Sequence, residues 1–151
     1  MEVESLTELF RFFSKNEDLL YVGDDELLPL ACDNSKKVVY ICPEHSGYNA
    51  LNLKIVKANP LSSDIEEKGP FDSLINNLSV DIMHSFQAME RLLPLLKENA
   101  RILLRIEPHG RTARDLEIVL DALLHDYSLK IVDELDIDKK KYMILEKIHS
   151  I

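Results

Sequence analysis

The order of apolar runs along the chain constrains its fold more than any other feature. Short runs rich in β-branched residues occupy positions 19–22, 36–42, 53–58, 71–76 and 100–107. Each is bounded by glycine, proline or polar residues, which is the pattern of buried strands. Pro43 and Pro60 end the second and third, and Gly69-Pro70 introduces the fourth. Helical stripes fall between several of them. Ile82, Phe86, Met89, Leu93 and Leu96 recur by steps of four and three, and Leu116, Val119, Leu120 and Leu123 form a second stripe capped by Thr112. The chain opens on a third, with Leu6, Leu9, Phe10 and Phe13 behind a capping box of Ser5 and Glu8. A short helix over about 25–31 is limited by Pro29, and Pro94 is expected to kink the long helix over 83–96 or restart its last turn.

Strands that alternate with helices imply a mostly parallel sheet covered on both faces. Two strand runs in succession, 128–137 and 141–148, imply an antiparallel finish. The expected fold is α/β, Rossmann-like, with a mostly parallel seven-stranded sheet, an antiparallel last strand and short helices on one side. No repeat or linker interrupts the order, so residues 1–151 read as one domain.

Charge and composition narrow the partners. The net charge of −9 argues against a nucleic-acid surface, which needs a clustered positive field. The one basic run, Lys139 to Lys141, reads as a solvated hairpin tip. No apolar run is long enough to span a bilayer, and the acidic N-terminus lacks the basic region of a secretion signal. With only Cys32 and Cys42 and no CxxC, reduced thiols and a cytoplasmic location are expected.

The order of elements resembles the class I S-adenosylmethionine-dependent methyltransferase fold over nearly the whole chain. The "LLPLLKENARILLRIEP" stretch is similar to the family's helix, turn and fifth strand, with Glu98, Asn99 and Ala100 in place of Pro-Gly-Gly. The ending "IVDELDIDKKKYMILEKI" is also similar to the tail of fibrillarin-like RNA methyltransferases, although the strand ends carry none of that family's catalytic lysines. The "GDDEL" segment resembles the acidic loop of branched-polyamine aminopropyltransferases, whose carboxylates suit a cationic substrate.

This resemblance implies S-adenosylmethionine as cofactor and places its site. In "VGDDELL" only Gly23 is kept from the glycine-rich loop, and Asp24, Asp25 and Glu26 stand where ribose and methionine approach. The alternative reading of these acids is a charged helix N-terminus. The ribose-gripping acid at the end of the second strand is replaced by Cys42, with Glu44 two residues on. Asn59 stands where an Asp near the adenine amine is usual; its amide oxygen can accept the same bond. Asn76 follows the fourth strand, where many methyltransferases place catalytic groups. Glu107 and His109 follow the fifth, at the crevice edge where a histidine can act as general base.

Two functions remain open at this point. One is an enzyme that transfers a methyl or aminopropyl group. The other is a degenerate member that binds no cofactor and acts through protein interaction. The connections 43–52 and 59–70 are short for helices, so the third-strand edge is expected to be thinly covered. A homodimer or partner contact is expected there, with Tyr48 as its anchor.

Overall fold

The computed structural model describes residues 6–44, 47–61, 65, 67, 69–137 and 139–148. Ser5, His45 and His149 lie outside these residues. Seven strands form one sheet: β1 (Asp18–Gly23), β2 (Lys37–Cys42), β3 (Leu53–Lys57), β4 (Phe71–Asn77), β5 (Leu96–Ile106), β6 (Leu129–Ile137) and β7 (Lys140–Lys147). Their order is β3-β2-β1-β4-β5-β7-β6. The first five run parallel, and β7 is antiparallel to both β5 and β6. The order reverses between β2-β1 and β4, so a crevice opens at the carboxyl ends of β1 and β4.

The period of two along each strand divides the core into two faces. Leu20, Val22, Val39, Ile41, Leu74, Ile102 and Leu104 face α2 (Ile82–Leu92) and α3 (Ala113–Asp126). Leu19, Tyr21, Val38, Tyr40, Ile75 and Leu103 face the opposite way. That second face is covered by the short elements, a 3-10 helix Leu6–Phe12 and α1 (Leu28–Asp33). Pro29 stands in the first turn of α1, where its missing N–H costs nothing. Fully burying one such Leu or Phe contributes about 1.5–3 kcal/mol.

Three local expectations are corrected. The long helix ends at Leu92, Pro94 restarts it as a 3-10 turn Leu93–Leu95, and β5 begins at Leu96. Glu98, Asn99 and Ala100 therefore lie in a bulge inside the strand, and Asn99 takes a φ of 66° there. Lys97 anchors the start of β5 by donating to Asp72, at 2.6 Å. The basic run is not a solvated tip throughout: Lys140 reaches Glu26 at 2.8 Å and Lys141 reaches Glu134 at 3.2 Å.

The two connections expected to be short carry no helix among their described residues. Ala58, Leu61 and Ile65 cover one face of the β2–β3 edge, and Tyr48 and Ala50 cover the other. Tyr48, expected to anchor an interface, thus packs in part against its own core.

The N-termini of α2 and α3 are tied by one ion pair. Arg111 donates from Nε to Asp81 Oδ1 at 2.8 Å and from NH2 to Asp81 Oδ2 at 3.1 Å. Asp81 also caps α2 by accepting from Met83 N, at 3.2 Å. The Arg111 bond, with the cap, holds the Asp81 carboxyl well below its ordinary value, at about 2. A carboxyl depressed in the folded state contributes stability above its unfolded value near 3.8, and that stability is lost as pH falls towards about 2. We expect Asp81→Asn to cost roughly 1–2 kcal/mol at pH 6, after allowance for solvent screening. In urea unfolding the gap between variant and wild type should narrow from pH 4 downward. A gap independent of pH would show that the charge contributes nothing.

Candidate functional site

The carboxyl ends of β1, β2, β3 and β4 enclose a cleft of about 420 Å³. This lies within the roughly 300–1,000 Å³ range of small-molecule sites. Gly23, Asp24, Cys42, Glu44 and Asn59 all line it, with Ile41, Pro60, Leu61 and Leu78 as apolar wall. These five residues, all placed at the cofactor from sequence, are therefore brought together. Asp25 and Glu26 do not line the cleft, and Glu26 points away towards Lys140.

The need for glycine at position 23 comes from the protein itself. Its φ is +102°, and a Cβ there would stand 2.2 Å from the backbone carbon of Asn77. Strand β4 approaches this closely because Asp24 N donates to Asn77 O, at 3.0 Å, and Asn77 Nδ2 donates to Asp24 O, at 2.9 Å. Two tyrosines complete the clamp. Tyr40 donates to Gly23 O at 2.7 Å, and Tyr21 donates to Asp24 O while accepting from Leu27 N. Burial pushes the Tyr40 hydroxyl up to about 12 and raises that of Tyr21 further, so both stay donors. The Tyr21 and Tyr40 rings meet edge to face, with centroids 5.1 Å apart.

Beside the cleft lies a charged cluster centred on Arg105, whose side chain is 7% exposed. Arg105 NH1 donates to Asp24 Oδ2 at 2.9 Å and lies 3.6 Å from Glu26 Oε1; its Nε is 3.5 Å from Glu107 Oε2. Burial opposes the guanidinium charge, and Glu107 with Asp24 more than offsets it. Burial likewise opposes ionisation of Glu26, but the bond from Lys140, helped by Asn77 and Arg105, holds its carboxyl below the ordinary value.

The catalytic candidates separate. Asn76 is fully buried: its Nδ2 donates to Ser85 O and its Oδ1 accepts from Leu78 N, both at 3.3 Å. It shapes the turn after β4 and does not reach the cleft. Glu107 stands at the crevice, accepting from Ser79 Oγ at 3.1 Å. His109 Nε2 is 3.9 Å from Glu107 Oε1, on an exposed turn where His109 and Gly110 both have positive φ. Cys42 is buried at the cleft floor, and burial pushes its thiol up, which disfavours the thiolate. Asn59 Oδ1 already accepts from Leu61 N, at 2.9 Å, and an amide oxygen keeps a second lone pair. Arg105, Asn77 and the two tyrosines were missed from sequence. The signal for Arg105 was one cation inside an otherwise apolar "ILLRI" strand. Among the described residues no cluster suits a metal ion, and no helix is long and apolar enough to cross a membrane.

Comparison with solved structures places this fold. The N-methyltransferase NodS from Bradyrhizobium japonicum WM9 superposes with a TM-score of 0.69 at 9% identity, covering 95% of this chain and 94% of that one. The same enzyme in complex with S-adenosyl-l-homocysteine gives 0.60 at 10% identity over 88% of this chain and 78% of that one. A ribosomal protein L11 methylase from Lactobacillus delbrueckii subsp. bulgaricus gives 0.69 at 15% identity over 95% and 77%. No protein-family model and no curated protein matches the sequence. The chain has the class I S-adenosylmethionine-dependent methyltransferase fold.

Gly23→Ala should destabilise the protein by about 3 kcal/mol or more, because strain at positive φ adds to a clash with backbone that cannot move aside. Urea unfolding without any ligand tests this. A loss under about 1 kcal/mol would mean that β4 does not constrain the loop.

Proposed function

We propose that the chain binds S-adenosylmethionine in the cleft over β1–β4 and is a methyltransferase. The observation that carries this reading is the convergence of Gly23, Asp24, Cys42, Glu44 and Asn59 on one cleft at the point where strand order reverses. The lining suits an adenine nucleoside. Its wall of Ile41, Pro60, Leu61 and Leu78 offers apolar contact to a purine, and the Asn59 amide can meet the ring's amine. Glu44, on the rim after Pro43, supplies the carboxylate for ribose hydroxyls that Cys42 cannot. The cofactor, when bound, supplies a methyl group on a positively charged sulfur. Catalysis then rests on holding an acceptor in line beside it. Glu107, fixed by Ser79 and drawn towards Arg105, is the group placed to orient that acceptor, with His109 next to it.

A second reading, a subunit that binds no cofactor, is favoured by one feature. The carbonyls of Gly23 and Asp24 and the N–H of Asp24 are all engaged by Tyr40, Tyr21 and Asn77. Backbone groups committed to the protein are not available to a ligand. The aminopropyl alternative finds two of its acids, Asp24 and Glu26, already paired with Arg105 and Lys140.

S-adenosylhomocysteine separates the two main readings. At about 100 times its dissociation constant it should add roughly 2.7 kcal/mol, a shift of several degrees in melting temperature. Glu44→Ala should weaken the binding about tenfold, since charge-assisted bonds to hydroxyls are worth roughly 1.5–3 kcal/mol. Millimolar ligand without any shift in wild type would leave the non-enzymatic reading standing.

A further inference from the structure

We propose that the cleft over β1–β4 recognises its ligand as an unphosphorylated adenine nucleoside and takes no hold on the group carried by the 5′ carbon. This inference rests on the methyltransferase reading and deepens it. S-adenosylmethionine is held there by its adenosine part alone, and free adenosine is held as well. Two independent observations carry it: the hydrogen bonds already made at the cleft, and the charges that line it.

With Pro60, Leu61 and Leu78 against the purine, Asn59 at its amine and Glu44 at the ribose, the polar lining left for a 5′ group is chiefly Gly23, Asp24 and Tyr40. A tail would need donors and acceptors there, and the protein has used them. The Gly23 carbonyl accepts from the Tyr40 hydroxyl at 2.7 Å. The Asp24 carbonyl accepts from Tyr21 and from Asn77 Nδ2, which engages both of its lone pairs. The Asp24 N–H donates to Asn77 O at 3.0 Å. Only the Asp24 carboxylate remains. It is bonded to Arg105 and its side chain is 57% exposed, and an ion pair in such a setting contributes little.

Charge gives the same answer. Asp24 and Glu44 line the cleft, and among the described residues no lysine, arginine or histidine does. A phosphate on the 5′ carbon would meet two carboxylates and no cation, in a chain of net charge −9. The amino-acid tail of S-adenosylhomocysteine is a zwitterion. Its ammonium is drawn to these acids and its carboxylate is pushed from them, so the two effects offset each other. The nucleoside keeps all that the cleft offers: the apolar wall, the Asn59 amide and the Glu44 carboxylate. Adenosine and 5′-methylthioadenosine therefore compete with the methyl donor on nearly equal terms.

Isothermal titration of the full chain with adenosine, 5′-methylthioadenosine, S-adenosylhomocysteine, adenosine 5′-monophosphate and uridine, at about 0.15 M salt, tests this. Adenosine and 5′-methylthioadenosine should bind within fivefold of S-adenosylhomocysteine. The monophosphate should bind at least tenfold more weakly than adenosine, and that gap should narrow at about 1 M salt. Uridine, which brings no purine to the apolar wall, should not bind. Tyr40→Phe frees the Gly23 carbonyl for the tail's ammonium and should turn near-equality into a several-fold preference for S-adenosylhomocysteine; should this variant not fold, the wild-type series decides. Two charge-assisted bonds to a tail would separate S-adenosylhomocysteine from adenosine by about a hundredfold. A wild-type gap wider than fivefold in that direction overturns the inference and leaves the methyltransferase reading intact. So does a monophosphate that binds as tightly as adenosine, or uridine that does. An unchanged ratio in folded Tyr40→Phe overturns the claim that the loop's own bonds keep the tail out. If adenosine binds and S-adenosylhomocysteine does not, the methyltransferase reading falls and the nucleoside site stands. Binding of neither overturns both.

Discussion

The close approach of β1 and β4 at Gly23 and Asn77 is the constraint on which the rest of the crevice depends. Two parallel strands at normal spacing leave room for a Cβ. Here the chain turns out of β1 so tightly that backbone passes over backbone, with reciprocal bonds between residues 24 and 77. The turn fixes where Asp24 points, and so where Arg105 can place its charge. It also opens the space between β1 and β2 that becomes the cleft. Tyr21 and Tyr40 hold the turn from below, and both are fully or nearly fully buried on the same face.

Arg105 shows what such a site costs. A guanidinium placed under a sheet edge loses most of its water, and mutual attraction has to make up the loss. The acids that do so come from separate segments: Asp24 and Glu26 follow β1, and Glu107 follows β5. The guanidinium therefore binds the two lips of the crevice to each other. An apolar residue at 105 would pack as well beside Leu103. It would remove the one group that touches Asp24, Glu26 and Glu107 together. The buried cation therefore joins segments far apart in sequence, through the acids that follow β1 and β5.

The sheet was legible because its strands bury both faces. "KVVYIC" and "ILLRI" carry apolar residues of both parities, and "LLPLACD" and "ARDLEIVL" carry helical spacing, so tertiary packing agreed with local pattern. The bulge at Asn99 was not legible. A Glu-Asn-Ala sequence between two apolar runs is ordinary turn chemistry, and only the pairing of Phe71 with Leu96 across β4 and β5 draws it into a strand. That Gly23, Asp24, Cys42, Glu44 and Asn59 meet at one cleft was legible because each stands at or just after a strand end, where alternation leaves few choices. Asn76 and Glu26 were misplaced for a related reason. At a strand end one residue of register decides which face a side chain takes, so Asn76 turned to Ser85 while Asn77, equally buried, bonds the Asp24 backbone. The Glu26–Lys140 pair spans 114 positions, and no local pattern announces a contact of that kind.

The absent connection helices account for the shape of the site. Where β2 and β3 would be followed by helices, loops of Pro43, Glu44, Asn59 and Pro60 form the wall. Such a wall is low, and it contributes few groups. The floor is built by Gly23, Tyr40 and Cys42, with the carboxylates of Asp24 and Glu44 on the lining. Chemistry divides the neighbourhood: a loop-walled cleft over β1–β4 stands beside a charged cluster centred on Arg105. Asp24 belongs to both, lining the cleft and bonding Arg105 in the cluster, so one side chain joins the loop wall to the charged lip.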